Sequence, residues 1–271
     1  RRPPRSTQGV SSAASDVYKR QILNLEIGYK FNDLMRYSRS ANKIGVPFEY
    51  IPDDIFKEHR VDHQLRILNK LNSKYKKEKA TPSIIGVNFD NIKSKYPIND
   101  PYIVLCPTNS HVGNMNHRGY RSWPEKNWKE LISKIIDKTS FNILLSGGKD
   151  EKKYFEAFYP LHHRVYDISG MTDVPELITI MQRSKCVVAT DSGSAHIAGA
   201  ASKNIISIHG PTNHYQSAPY KTAMNVVKIA TLNLECSPCY DTKAIKNCKS
   251  NICMQSLGAD VIYNMIEELN L

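Results

Sequence analysis

Small and polar residues follow an apolar run at residues 187–201, where the sequence reads VVATDSGSAHIAGAA. The pattern predicts a buried strand that ends at Asp191 and Ser192, then a helix whose first turn contains Gly193 and His196. Unpaired backbone N–H groups and the positive end of the helix dipole make such a helix start an anion site, and Gly193 lets a phosphate approach closely. We expect Asp191 and Ser192 to cap the helix. The alternative is an ordinary capped helix with a packing histidine.

Two further loops carry polar side chains after an apolar run. One is ISIHGPTNHYQSAPY at residues 206–220, and the other extends over residues 107–124. The second loop contains five residues that could bind an anion or a sugar: Thr108, Asn109, His111, Arg118 and Arg121. Loops at the carboxyl ends of strands in an open α/β sheet line the same crevice. We therefore expect the three loops to converge, with Arg121 placed for a phosphate; the alternative for Arg121 is a solvated surface position.

The elements that must position these loops alternate regularly from about residue 101 onward. Short β-branched runs predict five strands, at residues 102–108, 142–146, 165–168, 186–190 and 204–209. The segments between them predict four helices, at residues 124–138, 149–158, 174–183 and 194–201. This alternation is typical of a parallel sheet with helical crossovers, the doubly wound, Rossmann-like α/β fold. Residues 59–72 and 259–271 predict two further packing helices.

The first 21 residues do not resemble a sequence selected for folding. Residues 11–21, SSAASDVYKRQ, back-translate codon for codon to a transposase-type sequencing adapter, and residues 1–7 to a flow-cell primer. We therefore predict that residues 1–21 are a translated adapter without structure, the alternative being a disordered basic tail. On this interpretation the native sequence starts near Ile22, and an upstream part is missing.

The charge of the chain favours anionic ligands over nucleic acid. The net charge is +11, and the first 21 residues contribute five basic side chains against one acidic. The remaining excess is moderate, so it suits a diphosphate or an anionic membrane surface, and we expect no nucleic-acid partner. The sequence has neither an apolar run near the roughly 20 residues of a membrane-spanning helix nor a signal-peptide pattern. We expect a cytoplasmic protein.

Four of the six cysteines form the pattern C-x2-C-x8-C-x4-C, with Cys236, Cys239, Cys248 and Cys253. Four thiols at this spacing could bind zinc. They could also be reduced structural cysteines, because the cytosol disfavours disulfides. Both interpretations stay open, and we assign no metal ligand and no cofactor.

Three motifs in the same order resemble glycosyltransferase family 9, the ADP-heptose:lipopolysaccharide heptosyltransferases. They are RSWPEKNWKELI, LLSGGKDE, and TDSGSAHIAGA with its HGPT follow-on. The CSPC, NC and ICM elements near the carboxyl terminus also look like those of many members, so the resemblance covers residues 102–271 and reaches back weakly through HRVDHQLRIL. It implies a GT-B architecture, with two Rossmann-like domains. It also implies an inverting transfer from a nucleotide-activated sugar, without a metal held by a DxD motif.

The resemblance implies roles in donor binding for residues of the first two motifs and the loop before them. Thr108 and Asn109 fall where the family contacts the donor diphosphate, and Arg121 falls where it commonly has a lysine. Glu151 matches an acidic residue that can hydrogen-bond a ribose, a role for which Asp150 competes.

The resemblance also implies which residues contact the nucleotide base and the donor sugar, and which kind of residue is the general base of the reaction. Met171 matches a residue that lines the nucleotide base. The residues that match positions around the diphosphate and the donor sugar are Asp191, Ser192, Gly193 and His196. The general base of the family is an aspartate near the start of the amino-terminal domain, which we expect in the missing part. The chain as given is then expected to bind nucleotide weakly and to transfer nothing.

These observations predict a fragment of a GT-B glycosyltransferase. We expect residues 22–100 to be the carboxyl-terminal part of an acceptor domain and residues 101–271 to be the donor domain. The expected partners are a nucleotide-sugar donor, with ADP-heptose leading, and a lipid-linked glycan acceptor such as the lipopolysaccharide core, with peripheral contact to the inner membrane. The alternatives are a sugar-nucleotide epimerase of the same fold and a zinc-stabilised nucleic-acid-binding module.

Overall fold

The computed structural model describes residues 21–271, except residues 28–29, 49–53, 76–79, 97, 110–118 and 241. The chain divides between Ala80 and Thr81 into two compact units. The domain boundary predicted near residue 100 therefore lies inside the second unit. Residues 1–20 of the predicted adapter lie outside the described residues, and Gln21, which we expect to lack structure, is the first residue of a strand.

The described part of the first unit contains a small parallel sheet and two helices. Its elements are β1 (Gln21–Leu23), α1 (Asn32–Tyr37), β2 (Asn42–Ile44), a 3-10 turn (Ile55–Lys57) and α2 (Arg60–Leu71). β1 and β2 pair in parallel. His59 begins α2 as its N-cap and accepts a hydrogen bond from the backbone N–H of Val61, and the helix buries His63 and Ile67. The helix predicted over residues 59–72 is thus confirmed.

The second unit is built on a six-stranded parallel sheet. Its strands are β3 (Tyr102–Cys106), β4 (Asn142–Leu145), β5 (Val165–Asp167), β6 (Cys186–Thr190), β7 (Asn204–Ile208) and β8 (Val226–Ala230). The order across the sheet is β5-β4-β3-β6-β7-β8, so the chain winds from the middle to one edge and then from the middle to the other. Loops that leave β3 and β6 diverge at their carboxyl ends, which opens a crevice between them. The predicted doubly wound α/β fold is confirmed.

Helices cover both faces of this sheet. They are α3 (Phe89–Lys95), α4 (Glu125–Lys138), α5 (Lys152–Phe155), α6 (Val174–Arg183), α7 (Gly193–Ala201), α8 (His214–Ser217), α9 (Ile252–Gln255) and α10 (Ala259–Glu267). Strand side chains alternate between two cores: Ile103 and Leu105 share one with α4 and α10, whereas Val104 shares the other with α3, α6 and α7. Across the described part of the chain, none of the helices combines the length and the apolar character needed to cross a membrane.

Two elements of the second unit differ from the sequence prediction. The helix predicted over residues 149–158 is broken into the 3-10 turns Lys149–Glu151 and Glu156–Phe158 on either side of α5. The Glu151 side chain folds back to accept a hydrogen bond from Gly148 N, which holds the first turn in the tighter form. β8 is an additional strand at the edge of the sheet, where Val226 is exposed.

Candidate functional site

The loops after β3 and β4 meet through Glu151. Thr108 and Asn109 follow β3 and are both buried. Thr108 Oγ1 donates a hydrogen bond to Glu151 Oε2 over 2.6 Å, and the same oxygen accepts one from Gly148 N over 2.7 Å. Asp150 beside it is exposed. The carboxylate predicted to contact a ribose is therefore positioned by two loops.

The loop after β3 is also joined to β6 and to the residues that precede α4. Thr190 is the last residue of β6, and its Oγ1 donates to the carbonyl oxygen of Thr108 over 3.2 Å. Asn109 Nδ2 donates to Ser122 Oγ over 3.1 Å. These contacts fix both ends of the loop whose middle, with His111 and Arg118, lies outside the described residues.

Arg121 lies against the residues that lead into α7. Its Nη1 is 3.5 Å from Asp191 Oδ2, and the two side chains are only 17% and 9% exposed. Of the two residues predicted to cap α7, Ser192 lies at the N-cap position and Asp191 does not. Ser192 occupies the N-cap position without a side-chain hydrogen bond to the helix, and the Asp191 carboxylate pairs with Arg121 instead. A charge-assisted contact with a largely buried guanidinium outweighs the weaker capping bond.

The start of α7 has the properties of an anion site. A Cβ atom built on Gly193 meets no other atom within 4 Å, so there is open space at the first helical residue. Ser192 Oγ is buried and has no hydrogen-bond partner among the described residues. Buried polar atoms normally have a partner, and the N-terminal turn of a helix adds backbone donors. This surface can bind an oxyanion through hydroxyl and amide groups.

His209 follows β7 and is a buried residue that the sequence interpretation did not single out. Its Nε2 lies 2.9 Å from Ser207 Oγ, and its Nδ1 lies 3.2 Å from Thr212 Oγ1. Burial lowers the pKa of His209 to about 4, so the ring is neutral at pH 7. The neighbouring Asp191 acts to raise this pKa, and three other neighbours act to lower it, namely His214, His196 and Arg121. Predicted His196 therefore lies in the same charged surroundings as Asp191 and Arg121.

Met171 lies at the rim of the site, on the loop after β5. The side chain is 48% exposed. Gly170 before it has a φ of +66°, a conformation that favours glycine, and its N–H donates to the carbonyl oxygen of Gly147 over 2.9 Å. On the other side, the carbonyl oxygen of Met171 accepts a hydrogen bond from the Tyr96 hydroxyl over 2.9 Å. The predicted base-contacting residue thus lies beside the Gly147–Gly148 turn.

The six cysteines are all free thiols. Cys239 and Cys253 are buried, and burial raises the pKa of each thiol, to about 11 in the case of Cys253. Among the residues that the structure describes, no three histidines, cysteines or carboxylates are grouped so that they could hold a metal ion. The zinc interpretation of the four-cysteine pattern gains no support from this arrangement.

All nine predicted donor-binding residues lie on loops, or at a helix start, at the carboxyl ends of β3, β4, β5 and β6. A hydrogen bond joins Thr108 to Glu151, and an ion pair joins Arg121 to Asp191. The strand order reverses between β3 and β6, and the Arg121–Asp191 pair joins the segments that follow these two strands. The fold and the site define an α/β protein of the Rossmann type, a class that binds its ligands at this switch point.

The chain belongs to glycosyltransferase family 9, the heptosyltransferases, because the family model matches residues 41–249, more than half of its length. The lipopolysaccharide heptosyltransferase 2 of Escherichia coli is 23% identical over 115 residues, which cover 41% of this chain and 33% of that protein. The match thus spans about a third of the length of this curated relative. The family predicted from the three motifs is confirmed.

Two solved structures have the same fold. The Escherichia coli ADP-heptose lipopolysaccharide heptosyltransferase II gives a TM-score of 0.62 at 14% identity, covering 92% of this chain and 75% of that one. The Escherichia coli heptosyltransferase WaaC with ADP gives 0.58 at 16% identity, covering 95% and 78%. The predicted GT-B fold class is confirmed.

Proposed function

We propose that the second unit binds the diphosphate of a nucleotide sugar, ADP-heptose, and that the protein serves the transfer of heptose to a lipopolysaccharide core or a related glycan. The observation that carries the proposal is the Arg121–Asp191 pair beside the open start of α7. Guanidinium and helix N–H groups are the donors that a diphosphate requires. Family membership and the ADP in the related WaaC structure support the choice of ligand.

These groups would act when the bond between the sugar and the diphosphate of the donor breaks. A hydroxyl of the acceptor attacks the anomeric carbon on the face opposite the diphosphate, and a carboxylate base takes its proton. The bond from that carbon to the diphosphate oxygen breaks through an oxocarbenium-like transition state. Negative charge then grows on the departing diphosphate. Arg121 and the amides of α7 would stabilise it, by about 3 kcal/mol for a well-placed donor.

We propose that none of the donor-binding residues of the second unit is the general base, because the family resemblance assigns that role to an aspartate near the start of the amino-terminal domain. The 271-residue chain is then expected to bind ADP without transferring sugar. An assay of heptose transfer from ADP-heptose tests this assignment, because detectable turnover by the chain alone would contradict it.

Calorimetric titration of the chain with ADP, UDP and a short RNA tests the proposed ligand. We expect ADP to bind and Arg121→Met to weaken that binding at least tenfold, because a charge beside the diphosphate is removed. Arg183→Met is the matched control, since Arg183 is exposed and stacks on Phe89. Equal binding of UDP would refute ADP as the nucleotide, and equal binding of RNA would refute the exclusion of nucleic acid. An equal effect of the two substitutions would refute the role of Arg121.

We further propose a peripheral position at the cytoplasmic face of the inner membrane, where a lipid-linked acceptor would be available. In the first unit, α1 exposes Leu34 at 62% and Tyr37 at 82% next to the exposed Arg36. Apolar and basic side chains on one short helix suit an anionic membrane surface. Sedimentation with phosphatidylglycerol vesicles, compared with phosphatidylcholine vesicles, tests this. Leu34→Ser with Tyr37→Ser should reduce binding to the anionic vesicles, and an unchanged bound fraction would argue against it.

A further inference from the structure

The segment that contains the four cysteines folds over the loop after β7. Cys239 N and Tyr240 N both donate to the carbonyl oxygen of Pro211, over 2.8 and 2.9 Å. Ser237 Oγ donates to the carbonyl oxygen of Gly210 over 2.5 Å. This segment spans residues 236–253, and its residues 237–240 are fixed to the loop that holds His209.

The same segment also reaches the residues around Arg121. The guanidinium carbon of Arg121 lies 5.3 Å from the centre of the Tyr240 ring, within the range of a cation–π contact. Tyr120, the preceding residue, donates from its hydroxyl to the carbonyl oxygen of Cys248 over 3.5 Å. Two neighbouring side chains of the loop before α4 thus contact one carboxyl-terminal segment.

The Arg121 guanidinium is held in two different ways. Asp191 contacts it through Nη1 at 3.5 Å, and Tyr240 contacts it through its ring. The Asp191 carboxylate fixes the position of Nη1 and reduces the net positive charge locally. The Tyr240 ring attracts the guanidinium through a cation–π contact and adds no formal negative charge. The ring can therefore hold the guanidinium in place without neutralising the charge that attracts an anion.

We propose that Tyr240 is a positioning residue for the donor diphosphate, which acts by holding the Arg121 guanidinium toward the start of α7. The inference rests on the proposed function, because it assumes that a diphosphate binds there. It also gives the segment with the four cysteines a part in donor binding, through the backbone bonds that fix Tyr240 to the loop after β7. The role depends on the ring and not on the hydroxyl.

Titration of the 271-residue chain with ADP, followed by NMR amide shifts so that weak affinities are measurable, tests the proposal. We expect Tyr240→Leu to weaken ADP binding about fivefold, which corresponds to about 1 kcal/mol. Tyr240→Phe should keep the wild-type affinity, because it keeps the ring. Tyr240→Met supplies a second non-aromatic side chain if the leucine variant does not fold, and thermal unfolding checks each variant.

A double-mutant cycle separates positioning from a general structural role. In an Arg121→Met background, Tyr240→Leu should change ADP affinity less than twofold, because the guanidinium on which Tyr240 acts is absent. A fivefold loss that persists in that background would overturn the proposal, and so would an equal loss in Tyr240→Phe. If the wild-type chain still binds ADP, the proposed function remains intact in both cases. Failure of the wild-type chain to bind ADP would instead overturn both.

Discussion

At the scale of single residues, His209 is a buried group whose ionisation the fold shifts away from neutral pH. Burial lowers its pKa to about 4, against an ordinary value near 6.5 in an unfolded chain. The unfolded state therefore takes up a proton on acidification before the folded state does. Folding stability does not depend on this group above about pH 6.5, and it falls as the pH decreases from 6.5 to 4.

Replacement of His209 by glutamine should remove this part of the pH dependence. The wild-type chain is expected to lose at most about 3 kcal/mol of unfolding free energy through this group between pH 6.5 and 4. His209→Gln should show a flatter profile in urea unfolding measured at a series of pH values. The exposed His163 provides the control, as His163→Gln should keep the wild-type slope. Identical slopes for the wild type and His209→Gln would contradict the prediction.

Sequence patterns predicted which loops form the site better than they predicted what each side chain does there. Thr108, Arg121 and Asp191 could be grouped because the carboxyl ends of parallel strands share one edge of the sheet, whereas Glu151 was added by the family resemblance. The capping role of Asp191 failed, since a local preference competed with a cation that lies 70 residues earlier in the chain. No sequence pattern predicted a role for Tyr240, because its contact with Arg121 depends on the path of a segment without regular periodicity.

At the scale of elements, the start of α7 allows stability and ligand binding to be separated. Gly193 and Gly258 both stand at the start of a helix, and a Cβ atom at either position meets nothing within 4 Å. Alanine at Gly193 should leave the thermal unfolding temperature unchanged or slightly higher, because alanine restricts the unfolded chain more than glycine does. Alanine at Gly258, the N-cap of α10, should lower it slightly, because alanine is a poorer N-cap residue than glycine. Only Gly193→Ala should weaken ADP binding, by at least threefold, since its methyl group occupies space where the diphosphate approaches.

Calorimetry and thermal unfolding of the two glycine variants check this expectation. Gly258→Ala should bind ADP as the wild type does. Unchanged ADP affinity in Gly193→Ala would indicate that the ligand does not approach the backbone at this helix start, and a fall in its unfolding temperature would show that the open space is needed for folding.

Elements with strong periodicity were predictable nearly to the residue, and elements defined by long-range contacts were not. α6 and β6 have the predicted bounds, because one has an apolar stripe and the other a continuous apolar run. β8 lies at the sheet edge with Val226 exposed, so its sequence shows neither a clear apolar stripe nor a continuous apolar run. α3 is short and polar in sequence, and its assignment depends on burial of Ile92 and Tyr96 beside α6.

At the scale of the whole molecule, the second unit has a core that its own residues complete. The two hydrophobic clusters around the sheet are formed by residues from Phe89 onward in the described part of the chain. A parallel sheet needs cover on both faces, and α3 contributes part of the cover on one face. The polypeptide of residues 81–271 is therefore expected to fold by itself and to bind ADP as the full chain does.

A second polypeptide that starts at residue 101 tests the boundary directly. It lacks Ile92, Tyr96 and Ile98, all of them buried, and the hydrogen bond from the Tyr96 hydroxyl to Met171. Loss of three buried apolar side chains should destabilise the unit by about 4 kcal/mol or more, or roughly 10 °C in the unfolding temperature. Loss of the Tyr96 contact should also release the loop of Met171 and weaken ADP binding. If calorimetric unfolding shows that residues 101–271 are as stable as residues 81–271, then α3 does not contribute to the free energy of unfolding of the second unit. The boundary predicted from the sequence would then be the correct one.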